Sequence, residues 1–157
     1  MPRRTRRLVA VLVAGLALVA VAGPVAAAAP QAVSITSHMT FPGDGPNYGY
    51  FSVDCGGGLM CASGRVEDTG YVFGGYQSDR KLQILVLKDF ICADGSGIIH
   101  VKIQVHVVFG VGETFTWIVE GGTGPYANLH GSGQGTTIPN ADPSTGNTNI
   151  YDGFLVG

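Results

Sequence analysis

The sequence predicts an all-β fold, an antiparallel up-and-down barrel of about eight strands, with a β-sandwich as the alternative architecture. Three observations carry this. The run from Ile98 to Phe109 reads Ile-Ile-His-Val-Lys-Ile-Gln-Val-His-Val-Val-Phe. Successive side chains of a strand point to opposite faces, so Ile99, Val101, Ile103, Val105, Val107 and Phe109 share one face while His100, Lys102, Gln104 and His106 share the other. Beyond residue 28 no segment has a helical period, and the links between strand-like runs are too short for helical crossovers, which favours antiparallel neighbours. Finally, 23 of the 129 residues from Ala29 onward are glycine, far above the usual ~7%, and strongly bent sheets use glycine at bulges and corners. Even strand spacing, and the removal of exposed edges by closure, favour the barrel over the sandwich.

The first 28 residues read as a secretory signal: Met-Pro-Arg-Arg-Thr-Arg-Arg, then an apolar run from Leu8 to Ala22, then small residues with a cut expected after Ala28. Residues 29–157 then form a single domain, enough chain for one core. Removing Arg3, Arg4, Arg6 and Arg7 leaves five cationic against eleven acidic residues, a net charge of −6. Two arginines and three scattered lysines make no basic stripe, so nucleic acid is not an expected partner. An anionic membrane surface is excluded on the same ground, and no stable membrane insertion is expected after cleavage. The expected location is extracellular.

An oxidising destination makes one disulfide the expectation for Cys55, Cys61 and Cys92. Cys61 with Cys92 is favoured, because a hairpin folded about Tyr76 and Gln77 sets them opposite each other. That register also sets Arg65 opposite Lys88, an unfavourable pair, and a two-residue slip would set Glu67 there instead. Cys55 with Cys61, around Gly56-Gly57-Gly58, is the alternative.

In chain order, Val33 to Phe41 is the first expected strand, and Pro42-Gly-Asp-Gly-Pro46 turns the chain. Tyr48 to Asp54 is the second and Met60 to Thr69 the third. Gly70 to Asp79 is an aromatic, glycine-containing connection with room for a bent strand of its own. Lys81 to Cys92 is the fourth strand; its middle, Ile84 to Leu87, is apolar on both faces, which suggests that its outer face meets another element or another subunit. Asp94-Gly-Ser-Gly97 delivers the strand at Ile98. Thr114 to Glu120 follows, with Phe115, Trp117 and Val119 on one face, and Tyr126 to Thr137 and Ile150 to Val156 complete the set.

From Val119 the chain reads Val-Glu-Gly121-Gly122-Thr123-Gly124-Pro-Tyr126-Ala-Asn-Leu-His-Gly-Ser-Gly. This segment resembles the Gly-Gly-Thr-Gly-x-aromatic turn of plant dirigent proteins and the allene oxide cyclase barrel. It covers about fifteen residues. The glycines suit a tight bulged turn, and the Tyr126 ring can plug a barrel end. The resemblance implies an eight-stranded barrel, often trimeric, with an apolar small molecule in its lumen. It carries over no functional residue, because no position outside the turn can be matched.

No catalytic constellation stands out. His100 and His106 lie on one face but roughly 20 Å apart, too far to share a metal ion. Glu113 and Glu120 sit about 23 Å apart on opposite faces, so they are not a carboxylate pair and read as solvated strand-end charges. No cofactor and no metal site is expected. The polar row His100, Lys102, Gln104 and His106 is expected outside the barrel. The leading expectation is therefore a secreted β-barrel that binds a small apolar ligand or acts as a non-catalytic extracellular module. The alternative is a cofactor-free cyclase or dirigent-like coupling guide acting on an apolar small molecule.

Overall fold

A computed structural model describes residues 29–56 and 58–157; the expected export signal lies outside the described residues. Eight strands close into one barrel, β1 (Gln31–Thr40), β2 (Tyr48–Cys55), β3 (Ser63–Ser78), β4 (Lys81–Cys92), β5 (Ile98–Val108), β6 (Gly112–Gly122), β7 (His130–Pro139) and β8 (Gly146–Val156). Each pairs antiparallel with its sequence neighbours and β8 returns to β1, so the architecture is the closed up-and-down barrel rather than the sandwich.

Alternation dictates the inside. On β5, Ile99, Val101 and Ile103 are buried while Gln104 is exposed and His100 and Lys102 are partly exposed. The outer polar groups are engaged there: His100 Nδ1 lies 2.7 Å from Asp89 Oδ1, and Gln83 Nε2 lies 3.1 Å from His106 Nδ1. On β6 the same parity buries Phe115, Trp117 and Val119.

The inner face of β7 is different, because its inward positions below Thr137 are Gly131, Gly133 and Gly135. A Cβ at Gly135 would lie 2.1 Å from the Phe115 ring, and one at Gly133 would lie 2.7 Å from the Trp117 ring. The missing side chains are the space the two aromatic rings occupy. The phenol ring of Tyr151 on β8 completes the stack, packing edge-on against Phe90, Phe115 and Trp117.

The long hairpin of β3 and β4 departs from expectation. Gly70 to Ser78 is not a connection but the second half of β3, and the chain reverses at Asp79 and Arg80, where Ser78 faces Lys81. Register shifts at Asp68/Gly70, Phe73/Gly75 and Tyr76/Ser78 displace the pairing from a simple fold about Tyr76 and Gln77. The disulfide nevertheless joins Cys61 to Cys92, with Cα atoms 5.8 Å apart, and Cys55 is free and exposed. The shift changes who faces Lys88. Its partner is Asp68, neither Arg65 nor Glu67.

Because connections alternate between ends, the β2–β3, β4–β5 and β6–β7 links gather at one end with both termini of the domain, and the other four links gather at the opposite end. The first end is packed solid. Met60, Leu129, Tyr126 and the disulfide close it, all under a tenth exposed. Gly121, Gly122, Thr123, Gly124 and Tyr126 belong to this end: the Thr123 hydroxyl accepts from the Ile98 N–H at 2.9 Å, and the buried Tyr126 hydroxyl lies 2.8 Å from Ser96 Oγ.

Candidate functional site

The opposite end is hollow. A cavity of about 370 Å³ occupies the lumen there, within the usual size range of small-molecule sites, though near its small end. Its wall is largely aliphatic and aromatic, from Ile84, Val86, Ile103, Val105, Phe115 and Met39, with Tyr71 and Phe41 at the mouth. Several inward positions carry polar groups into this apolar space.

Lys88 is the central one. It sits between Val86 and Phe90 in the inward row of β4, and only 8% of its side chain is exposed. An isolated ammonium in such a place would cost several kcal/mol, so it requires a partner. Asp68, directly opposite on β3, supplies it: the Lys88 ammonium donates to Asp68 Oδ1. The second oxygen of Asp68 accepts from Asn47 Nδ2 at 2.9 Å, and the Asp68 N–H donates to the Asn47 carbonyl at 2.8 Å. Asn47 can reach because β2 pairs with β3 only as far as Glu67, so the chain entering β2 folds against Asp68. Burial pushes the Lys88 amine below its ordinary value, an effect that Asp68 opposes.

Across the lumen, β8 contributes Asn149 and Tyr151. Asn149 is fully engaged with its neighbours, accepting from Thr137 Oγ1 at 2.9 Å and donating to Asn147 Oδ1 at 3.1 Å. Tyr151 is not. Its hydroxyl is buried without a hydrogen-bond partner among the described residues, as is that of Ser37 on β1. Burial raises the Tyr151 pKa, and the Ser37 hydroxyl beside it, short of hydrogen-bond geometry, offsets this only in part. An orphaned buried hydroxyl costs roughly 1–3 kcal/mol, and the Tyr151 side chain borders the cavity.

Glu113 corrects an expectation. It is not a solvated strand-end charge; it has the parity of Phe115 and Trp117, lines the cavity, and burial raises its carboxyl above the ordinary range. Glu120 does lie outside, exposed, 3.7 Å from Lys102. The inward position of Glu113 was readable from its spacing to Phe115. The inward position of Lys88 was not, since both faces of its strand are apolar in the middle. Ile84 and Val86 of that stretch line the lumen, while Leu87 is exposed outside beside the exposed Val72. The Gly121 to Tyr126 turn lies at the other end of the barrel and takes no part in the cavity wall.

Fold and site together define a class: a closed eight-stranded antiparallel barrel, solid at one end and hollow at the other around a buried lysine–aspartate pair. No protein-family model matches the chain, and no curated protein does.

Proposed function

We propose that the hollow end holds one small, neutral, largely apolar molecule, and that the protein acts as an extracellular binding module. The observation that carries this is the 370 Å³ apolar cavity with hydrogen-bonding groups buried in its wall, Tyr151 without a partner. The lumen selects by charge as well. Lys88 is already neutralised by Asp68, and the remaining ionisable carboxyl, Glu113, has no ion-pair partner among the described residues. A carboxylate or phosphate ligand would meet acidic groups with no free cation to balance them, so a carbonyl or hydroxyl is the head group that fits.

Export rests on the first 28 residues. A disulfide within the barrel agrees with an oxidising destination, and among the described residues no helix is long and apolar enough to cross a membrane. The intact mass of the protein collected from culture medium tests it, the expected chain beginning at Ala29.

A native mass spectrum of that material tests the binding reading and reports any homo-oligomer through its outer apolar residues, Val72 and Leu87. A retained neutral molecule is the expected result. An empty lumen that also fails to take up added medium-chain alcohols defeats the reading.

A second reading has its own support. Lys88, Asp68 and Tyr151 are groups able to hold or move a proton in a water-poor space, and the Gly121 to Tyr126 segment is similar to that of the cyclase and dirigent barrels. A cofactor-free cyclase or coupling guide would return its bound molecule changed. A binding module returns it unaltered, and chromatography of the released ligand separates the two.

A further inference from the structure

Lys88 is the one amine among the residues that line the cavity, and its setting suits more than an ion pair. Val86 and Phe90 flank it in the inward row of β4, and Val86, Ile84, Ile103 and Phe115 line the same cavity with hydrocarbon. Asp68 is fixed on both oxygens, one toward Lys88 and one toward Asn47, so the carboxylate is held where the lysine nitrogen is. Lysines used as nucleophiles toward carbonyl groups are desolvated in this way, with an acid at hand to carry protons.

We propose that Lys88 captures an apolar aldehyde or ketone in the lumen as a protonated imine. This rests on the binding reading above and gives its carbonyl head group a covalent fate. The ammonium first passes a proton to the Asp68 carboxylate. The freed nitrogen lone pair adds to the carbonyl carbon, forming the C–N bond, and a proton moves from nitrogen to the former carbonyl oxygen to give a neutral carbinolamine. Asp68 then returns its proton to that hydroxyl, which leaves as water while the C=N bond forms. The sum is ammonium plus carbonyl giving iminium plus water, with no change of oxidation state. The product keeps one positive charge beside the Asp68 carboxylate, so the ion pair survives the reaction. The apolar wall limits the water that would hydrolyse it.

Burial works in the same direction by lowering the Lys88 pKa, which enlarges the neutral fraction. The titratable groups that line the lumen from other strands are Asp68 and Tyr71 on β3, Glu113 on β6 and Tyr151 on β8, and of these Asp68 is the one hydrogen-bonded to the amine. Lys81 and Lys102, the other two lysines, lie on the outside of the barrel as internal controls.

The test is incubation of the purified protein with hexanal and sodium cyanoborohydride at mildly acidic pH, followed by peptide mapping. A single hexyl group at Lys88, at roughly tenfold or greater occupancy over Lys81, Lys102 and the terminal amine, is expected from a carbonyl held against the nitrogen. Lys88→Arg, which keeps the cation beside Asp68 but forms no imine, should lose that label. Should Lys88→Arg fail to fold, Val107→Trp, which fills the cavity mouth away from the ion pair, should lower Lys88 labelling at least severalfold. Label spread over the outer lysines with Lys88 bare, or Lys88 labelling unmoved by Val107→Trp, overturns the proposal. Binding of 1-hexanol, which fits but cannot react, separates the two failures: hexanol bound with Lys88 unlabelled removes the imine alone, and neither event removes the lumen-binding reading with it.

Discussion

The two ends of one lumen solve the same problem in opposite ways. At the closed end the inward residues are aromatic rings, aliphatic chains and a disulfide, with Gly133 of β7 leaving the space that Trp117 fills. At the open end the same eight strands carry Lys88, Asp68, Asn149 and Glu113 inward and leave space between them. Strand geometry is common to both, so the difference lies wholly in which side chains occupy the inward positions. Packing at one end frees the other to carry buried charge beside empty volume.

Five variants test that contrast, beginning with the largest effect. Trp117→Ala at the closed end removes a ring that is 2% exposed and whose indole N–H donates to the Gln134 carbonyl at 3.1 Å. It should cost about 3–5 kcal/mol in denaturant unfolding. A loss below about 1 kcal/mol would mean that the closed end is not the stabilising half.

At the open end, Asp68→Ala leaves Lys88 buried without its partner and should also destabilise, by roughly 3–4 kcal/mol. The paired replacement Asp68→Leu with Lys88→Met should recover most of that, or exceed the starting stability, because a buried ion pair contributes little net stability against packed hydrocarbon. A double variant as unstable as Asp68→Ala would show the pair to be structural rather than retained for the lumen.

Replacing Cys61 and Cys92 together by serine opens a loop spanning 31 residues and should cost about 3–4 kcal/mol on the chain-entropy account. The loss belongs to the closed end, so hexanol uptake by the protein that remains folded should be little changed.

The smallest effect is at Glu113. Its folded pKa is raised, so the stability it contributes is complete below the ordinary carboxylate range and lost as pH rises through its folded value. Glu113→Gln should remove that slope, raising the melting temperature at neutral pH and leaving it nearly unchanged in acid. Parallel melting curves for the two proteins across this range would return Glu113 to the solvated charge that strand position alone suggests.

How far each feature could be read in advance follows from local pattern. β5 and β6 were legible because a polar row alternates with an apolar one, and parity alone assigns the core side. The bounds of β4 were equally clear, but its inward row was not, because Leu82 to Leu87 offers apolar residues on both faces. Reading Glu113 as a strand-end charge overlooked a signal that was present, its even spacing to Phe115 and Trp117. The Lys88–Asp68 pair had no such signal. It depends on three irregularities in the β3–β4 ladder, and each bulge moves every partner beyond it by one position.

The sequence by itself determined the β class, the antiparallel order and the exterior course of the His100 to His106 row, because these rest on alternation and link length, while it left Cys61 to Cys92 only preferred over Cys55 to Cys61. Only the tertiary structure decided that the barrel is hollow at one end and that Lys88, Asp68, Glu113 and Tyr151 meet there. Those residues lie on four different strands, and what brings them together is the cumulative register of a closed sheet, a property of all the pairings at once.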